Sequence, residues 1–244
     1  MTSEQPIYPE LDFDGSFRFS CGPHISCFID CCTGTNIWLY PFDVIRISRS
    51  LGISTTEFIR RHCRYFDSPP HFPVLLLQNA DNGEGRCPFA GDSGCSIYPD
   101  RPWVCRLFPV VPVECRTDET AEADRRFNIF VWKGCRGVES GPETTVREWW
   151  TNAGMTMYEE TFLDWQKLTD ELKSSKIVPL TGEAAEQFKL GSFDVDRFRE
   201  NLLDGEYGDT ISIDEKELED AANDDIFMMQ VACRLMRKIL LQRA

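Results

Sequence analysis

Four cysteines lie within twelve residues near the start of this chain, in the spacing Cys-x5-Cys-x3-Cys-Cys. Four more follow at wider intervals, and the eight thiols of this two-part pattern are Cys21, Cys27, Cys31, Cys32, Cys87, Cys95, Cys105 and Cys135. A chain of 244 residues buries enough apolar surface to fold without cross-links, so disulfide stapling does not explain the cysteine density. Because the first four thiols lie in a polar loop, we expect a metal site or a redox device rather than a crowded core.

Charge and hydropathy indicate where such a chain works. The N-terminal segment is acidic and lacks the basic and apolar regions of a signal peptide. The longest aliphatic run, from Val74 to Leu77, is too short to cross a bilayer. We therefore expect a cytoplasmic protein, in which clustered cysteines bind metal or do redox chemistry more often than they form disulfides. The net charge of −14 argues against nucleic acid or an anionic membrane as the main partner.

Thiolate sulfur selects zinc or iron–sulfur clusters, and four thiolates satisfy either one. The chain has no Cys-x2-Cys pair of a zinc knuckle and no ferredoxin spacing. Ligands from separated loops favour an iron–sulfur cluster, with an unusual zinc site as the alternative. The eight thiols can supply one site with spare thiols or two sites. Adjacent side chains usually diverge, so either Cys31 or Cys32 binds while the other packs or serves a second metal.

The remaining cysteines are expected to be packing residues, and they are Cys63, Cys115 and Cys233. His24 lies inside the first cysteine loop and is a candidate to replace a thiolate. Arg101 and Arg106 flank Cys105, where positive charge would stabilise thiolates. Capping of a turn is an equally good interpretation of Arg101.

The chain is expected to have an α+β fold in two parts. Residues 1–145 are predicted to form a small irregular cysteine-rich metal-binding domain with short helices and a small sheet. Residues 146–244 are predicted to form a mainly α-helical, acidic C-terminal region, with the boundary near Gly141-Pro142. Another protein is a possible partner for the acidic region, although a solvated helical face explains the charge equally well.

Local patterns place most elements. We expect helices from Pro41 to a cap at Gly52, from Ser54 through about Phe66 with Cys63 on one face, and a short one from Pro102. Strands are predicted at residues 72–78 and 126–132, with a turn at Asp81-Asn82-Gly83. Later helices are predicted at about residues 143–173, 195–203 and 214–242, the last with Cys233 on its apolar stripe.

Several motifs carry a family resemblance. Cys31-Cys32-Thr33-Gly34 and Arg86-Cys87-Pro88-Phe89 precede the run Cys-Ser-Ile-Tyr-x-x-Arg-Pro-x-x-Cys-Arg-x-Phe-Pro, which spans residues 95–109. With the closing Gly134-Cys135-Arg136-Gly137, they resemble the YkgJ-type cysteine-cluster family over residues 17–137. That family consists of mostly bacterial proteins with a zinc- or iron-chelating domain, so the resemblance implies a metal site.

Flagellin lysine methylases carry a similar cysteine pattern and are thought to hold an iron–sulfur cluster, but this chain shows no glycine-rich loop for S-adenosylmethionine. Three hypotheses follow. The first is a metal-binding protein that holds an iron–sulfur cluster or zinc, with its reaction open. The second is an interaction module with structural zinc, and the third is an iron–sulfur-dependent protein-modifying enzyme.

Overall fold

A computed structural model describes residues 9–66, 72–79, 85–113, 125–175, 177–208 and 213–241. The backbone contacts divide the chain into two compact units. The first unit comprises Met1–Ile37 and Asn79–Glu159, and the second comprises Trp38–Gln78 and Glu160–Ala244. This division differs from the predicted one at residue 145, because the chain leaves the first unit at residue 38 and returns to it at residue 79.

The described residues form short strands and nine α-helices, which confirms the α+β class and the helical C-terminal region. The strands are β1 (Ser16–Phe19), β2 (Trp38–Leu39), β3 (Cys63–Phe66), β4 (Val74–Leu77), β5 (Ala90–Gly91), β6 (Gly94–Cys95), β7 (Val110–Pro112), β8 (Phe127–Ile129) and β9 (Val138–Thr145). The helices are α1 (Pro41–Ser50), α2 (Thr55–His62), α3 (Trp103–Leu107), α4 (Val146–Asn152), α5 (Met155–Ser174), α6 (Gly182–Phe193), α7 (Val195–Leu203), α8 (Glu215–Asn223) and α9 (Asp225–Leu241).

The first unit is built from antiparallel strand pairs. β1 pairs with β9, β5 with β6, and β7 with β8. Leu11 adds a single bridge to Phe127 on β8. Two-stranded pairs have little stability of their own, so these strands depend on the side chains packed against them.

An aromatic cluster supplies that packing. Phe13 lies 4.8 Å from Phe127 and 5.7 Å from Trp150, measured between ring centroids. The guanidinium of Arg125 lies 4.7 Å from the Trp150 ring and pairs with Glu159. Edge-to-face aromatic pairs contribute about 0.5–1.5 kcal/mol beyond the area they bury. This cluster is the core on which the cysteine-bearing loops of the first unit are built.

The second unit combines a three-stranded antiparallel sheet, in the order β2-β4-β3, with helices α1, α2 and α6 to α9 and most of α5. All four residues of β4 are buried, as the continuous apolar run predicts for a central strand. The fully buried side chains of the second unit include Phe58, Phe188, Phe193 and Phe198. This unit therefore has the larger continuous apolar core of an ordinary helical domain.

An ionic network joins three helices of the second unit. Arg49 on α1 pairs with Asp196 on α7 at 2.6 Å and with Asp225 on α9 at 2.7 Å. Arg199 contacts both carboxylates. Burial would raise the pKa of Asp196, but hydrogen bonds from Arg49 and from the Thr55 amide outweigh it and lower that pKa to about 2.

Several predicted elements are confirmed at their starts. α1 begins at Pro41, Gly52 follows it with φ of 67°, and the Ser54 side chain accepts a hydrogen bond from the Glu57 amide. β4 and β8 lie within the two predicted strands, and α7 spans the predicted residues 195–203. The predicted turn at residues 81–83 lies outside the described residues.

Other boundaries were predicted wrongly. α2 ends at His62 rather than near Phe66, because the next four residues pair with β4 as strand β3. Cys63 therefore lies on a strand, although it is buried as expected. Backbone pairing with an already buried strand outweighs the helical pattern there.

The two long helices predicted after residue 143 are each interrupted. Gly154, with φ of 71°, separates α4 from α5, and its conformation is one that ends helices. Asp224 is extended and separates α8 from α9, and its side chain accepts the amides of Ile226 and Phe227. Residues that can cap a helix thus divide what the apolar periodicity alone predicts to be continuous.

The predicted boundary residues Gly141-Pro142 lie within β9. The register of β9 against β1 shifts between Arg18 and Phe19, so the glycine and proline form a bulge in a paired strand. Gly141 has φ of 80°, a conformation that few other residues adopt without strain.

Among the described residues, no helix has both the length and the apolar character that crossing a membrane requires.

Candidate metal centre

The first cysteine loop is a succession of tight turns. The amides of Ile25, Phe28 and Asp30 donate to the carbonyls of Gly22, Ile25 and Cys27 in turn, and further turns follow to Thr33. Ile29 has φ of 65°, a conformation that is strained for a β-branched residue. The turns hold the four cysteines in one compact loop, and the strain at Ile29 indicates that the surrounding contacts keep the loop in this path.

One end of the loop is fixed to the segment around Cys135. The Arg136 amide donates to Cys27 Sγ at 3.0 Å, and the Ser20 amide donates to the Gly137 carbonyl at 3.0 Å. A Cβ atom on Gly137 would lie 2.2 Å from the Ser20 carbonyl oxygen, so only glycine allows this approach. Cys135 is thereby placed beside Cys27, 108 residues earlier in the chain.

The other end of the loop is fixed to the segment around Cys87. The Cys87 amide donates to the Cys32 carbonyl at 2.7 Å, and Thr33 forms a β-bridge with Arg86. The hairpin of β5 and β6 then pairs Ala90 with Cys95. These backbone contacts bring cysteines of both sequence groups into one region of the first unit.

Three of the cysteines begin similar turns. Amides two or three residues later donate to the sulfur of Cys87, of Cys95 and of Cys135. The donors are Phe89 and Ala90 for the first, Ile97 for the second, and Gly137 and Val138 for the third. Burial raises the pKa of all three thiols, and these amides act against that rise because they stabilise the thiolate form. Such hydrogen bonds also tune thiolate-bound metal centres.

Mutual charge repulsion among the thiols affects their pKa values. Partial burial, followed by repulsion from Cys31, Cys135 and Cys27, raises the pKa of Cys21 to about 11. The Cys32 thiol donates to the Cys31 sulfur, which lowers the pKa of Cys31 to about 7 and raises that of Cys32. Such repulsion among closely placed thiolates is relieved when a cation binds them.

Arg101 is placed where it can offset this negative charge. Burial raises the pKa of both Cys21 and Cys95, and the charge of Arg101 acts against that rise. Its side chain also donates to the carbonyls of Tyr98 and Cys105. Both interpretations of Arg101 therefore hold, since it caps a turn and also lies near thiols. Arg106 instead donates to the carbonyls of Arg101, Ala153 and Pro99, which is a bracing role.

The remaining histidine and cysteine candidates differ in their exposure. His24 is exposed, and its Nε2 lies within hydrogen-bond distance of Ser20 Oγ, at 3.0 Å. Cys63 and Cys233 are buried in the second unit, as expected for packing residues. Cys115 lies outside the described residues.

All eight predicted cysteines lie in the first unit, where Cys21 is exposed and the other seven are half-buried. Within the described parts of the chain, no three cysteine, histidine, aspartate or glutamate side chains are grouped closely enough around one point to hold an ion. The thiols share one unit without forming a ligand set, which side-chain rotation or loop adjustment would have to complete. The donor set fits a thiolate-bound metal in its chemistry, its number and its amide hydrogen bonds.

A fold of short strand pairs that gathers eight free thiols defines a cysteine-rich metal-chelating domain. Residues 20–130 match the family model CxxCxxCC, described as a "Putative zinc- or iron-chelating domain", and the predicted cysteine-cluster family is confirmed for this segment. None of the curated proteins matches the chain significantly. None of the solved structures does so either.

The structure adds two points to the family match. The spacings between Cys21, Cys27 and Cys31 are longer than the two-residue spacings in the family's name, and the turns of the loop take up the additional residues. Cys135 lies beyond the matched residues, yet the contacts of Ser20 and Cys27 place it with the other thiols. The amide donors were not predicted, although the glycine two residues after Cys135 was a usable signal.

Proposed function

We propose that the first unit binds an iron–sulfur cluster through its cysteine thiolates, with zinc as the alternative metal. The observation that carries this proposal is the set of backbone amides aimed at the sulfurs of Cys87, Cys95 and Cys135. A packing cysteine needs no such donors, because a buried thiol is stable as a small apolar group. Burial raises the pKa of these three thiols, and the amides act against that rise by favouring the thiolate, which is the form that binds metal.

Iron–sulfur is favoured over zinc by the way the thiols are supplied. Each of the three amide-lined turns contributes a single sulfur, whereas zinc knuckles supply two from one Cys-x2-Cys turn. When bound, an iron–sulfur cluster would supply one-electron transfer. The protein's own contribution would be to supply the thiolates, donate hydrogen bonds to them and place the positive charge of Arg101 nearby.

Metal analysis after anaerobic purification tests this proposal. We expect iron and acid-labile sulfide in equal amounts, with a visible absorption that bleaches on reduction. Zinc with a colourless protein would favour the structural alternative. If neither metal is bound and all thiols outside the core react with a thiol reagent in the native protein, the proposal is wrong.

Two variants form a matched control for that measurement. Cys87→Ser removes a thiol with two amide donors, and we expect the metal content to fall by half or more. Cys233→Ser changes a fully buried thiol in the second unit, so we expect it to leave metal content unchanged. Equal metal loss in both variants would indicate a folding defect instead of a ligand role.

We also propose a cytoplasmic location, because thiols that have not yet bound a metal stay reduced there.

The acidic helical region is proposed to bind another protein. α8 exposes Glu215, Glu219 and Asp220, so a basic protein surface is the partner it would accept. Salt-sensitive binding of a lysine-rich peptide, lost when all three become glutamine, would support that partner, and binding unaffected by the change would exclude this helix.

A further inference from the structure

We propose that the eight cysteines form two separate four-thiolate sites, which divide between the adjacent residues Cys31 and Cys32. Site A comprises Cys21, Cys27, Cys31 and Cys135, and site B comprises Cys32, Cys87, Cys95 and Cys105. This inference rests on the proposed metal binding and adds the number of centres and the ligands of each.

Backbone contacts define site A. The Arg136 amide at 3.0 Å from Cys27 Sγ and the Ser20–Gly137 hydrogen bond hold the residues on either side of Cys135 against the first part of the loop. Cys21 directly follows Ser20, and its charge interactions with other thiols involve Cys31, Cys135 and Cys27. The Cys135 thiol also hydrogen-bonds to Cys27. These contacts place the four thiols in one region of the first unit, although Cys21 and Cys135 lie 114 positions apart in the chain.

A different set of contacts defines site B. The Cys87 amide donates to the Cys32 carbonyl at 2.7 Å, and the charges of Cys87 and Cys105 both act on Cys32. Cys95 lies on the hairpin that directly follows Cys87 and acts on it by charge. Among the charge interactions between thiols that affect these cysteines most, only that between Cys31 and Cys32 joins the two groups.

Chain geometry explains why the division falls at this doublet. Although the Cys32 thiol reaches the Cys31 sulfur, the Cα–Cβ bonds of adjacent residues diverge, so the two cysteines are poor ligands for one mononuclear ion. Assigning one to each site removes that difficulty. The 3₁₀ turn Asp30–Cys32 then carries one ligand of each site and lies between them. The positive charge of Arg101 acts on Cys21 of site A and on Cys95 of site B, so it offsets negative charge at both sites.

Two complete sets of four cysteines have a consequence for function. A metal with four thiolate ligands has no open position, whereas catalytic metals keep one for substrate. The division therefore favours electron transfer or a structural role over a reaction at the metal. It also gives Cys135, which lies outside the family match, a ligand role equal to that of the matched cysteines.

Cadmium binding tests the division directly, because Cd²⁺ prefers thiolates and its NMR resonance reports each site. The full chain, purified without metal under anaerobic conditions and titrated with Cd²⁺, should bind two equivalents and give two tetrathiolate resonances. Cys27→Ser with Cys135→Ser should remove one resonance and one equivalent. Cys87→Ser with Cys95→Ser should remove the other, and Cys63→Ala should retain both.

The outcomes separate this inference from the proposal on which it rests. A wild-type protein that binds iron, zinc or cadmium at a single centre overturns the division and leaves metal binding intact. A protein that binds none of the three metals overturns both. The wild-type stoichiometry decides the question even if a double variant fails to fold.

Discussion

Cysteines of the two units have opposite surroundings. In the second unit, Cys63 and Cys233 are buried, and burial raises the pKa of both thiols. In the first unit the thiols are half-buried or exposed, and although burial also raises the pKa of Cys87, Cys95 and Cys135, amides that point at these three sulfurs act against that rise. The same residue type is thus a packing group in one unit and a candidate ligand in the other, and only its neighbours distinguish the two roles.

The units also differ in what stabilises them. The first has two-stranded pairs, the short helices α3 and α4, and two small groups of contacting aromatic rings. The second has a three-stranded sheet covered by long helices, with many fully buried aromatic and aliphatic side chains. Buried apolar area is the main stabilising contribution in an ordinary domain. We therefore expect the first unit to depend on its metal and the second to be stable without it.

Metal removal should separate the units most strongly. Structural metal sites contribute about 10–16 kcal/mol of apparent binding free energy, which becomes folding free energy when the apo state is unfolded. Treatment with a strong chelator under reducing conditions should abolish amide-exchange protection in residues 85–113. Residues 182–203, in α6 and α7, should keep theirs. Segment-resolved hydrogen exchange with mass spectrometry measures both regions in one sample.

Readdition of the metal is the control for that experiment. Protection in the first unit should return, which would exclude irreversible oxidation of the thiols. If both segments lose protection together, the contrast between the units is wrong and the chain unfolds as one cooperative whole.

The next largest effect on stability is expected when one large core residue is truncated in each unit. Phe127 and Phe188 are both fully buried in aromatic clusters, one in each unit. Replacement of either by alanine should cost about 3–5 kcal/mol of its unit's stability. Phe127→Ala should also weaken metal retention in competition with a chromophoric chelator, because metal binding and folding of the first unit are coupled. Equal retention in the two variants would contradict that coupling.

The sequence predicted several helix starts of the second unit and the cysteine-cluster family of the first, for different physical reasons. Helix starts such as Ser54 depend on a few neighbouring residues, and the α1 and α2 caps were predicted correctly. The eight cysteines were identified by residue type and spacing. Their pairing was not, because it depends on contacts such as Ser20 with Gly137, between residues 117 positions apart. Spacing along the chain carries no information about such long-range backbone approach.

The placement of residues 38–78 in the second unit could not be predicted from the sequence, for a related reason. β4 reads as a buried strand in the sequence, but its partners β2 and β3 are set by tertiary pairing. Cys63 illustrates the effect, since its helical pattern is overridden by pairing with Leu77.

Lowering the pH should weaken the ionic network of the second unit and reduce its stability by less than the core truncations do. The pKa of Asp196 is about 2 in the folded protein, below its unfolded value of about 3.9, and that of Asp225 is also lowered. A depressed carboxyl pKa stabilises the folded state above the unfolded pKa, and this stabilisation is lost as pH falls through the folded pKa. Asp196 should therefore contribute about 2 kcal/mol at pH 6 and progressively less between pH 4 and pH 2.

Comparison with Asp196→Asn isolates that contribution. Guanidinium unfolding of the two proteins, followed by helical circular dichroism, should differ at pH 6 and converge towards pH 2. Metal loss in acid affects both proteins alike and cancels from the difference. A difference between the two proteins that does not depend on pH would show that the depressed pKa is not what stabilises the network.

The smallest effect compares helix caps in the two units. Thr145 accepts the Glu148 amide at 3.2 Å before α4, and Ser54 accepts the Glu57 amide at 3.2 Å before α2. Each replacement by alanine should cost about 1 kcal/mol, since it leaves a terminal amide without its side-chain acceptor. The Ser54→Ala loss should appear in chelator-treated and metal-loaded protein alike. The Thr145→Ala loss should appear only in metal-loaded protein, because without metal the first unit has no folded helix for the cap to stabilise. Segment-resolved exchange in α2 and α4 measures both losses, and a Thr145→Ala effect that persists after chelation would show that the first unit folds without its metal.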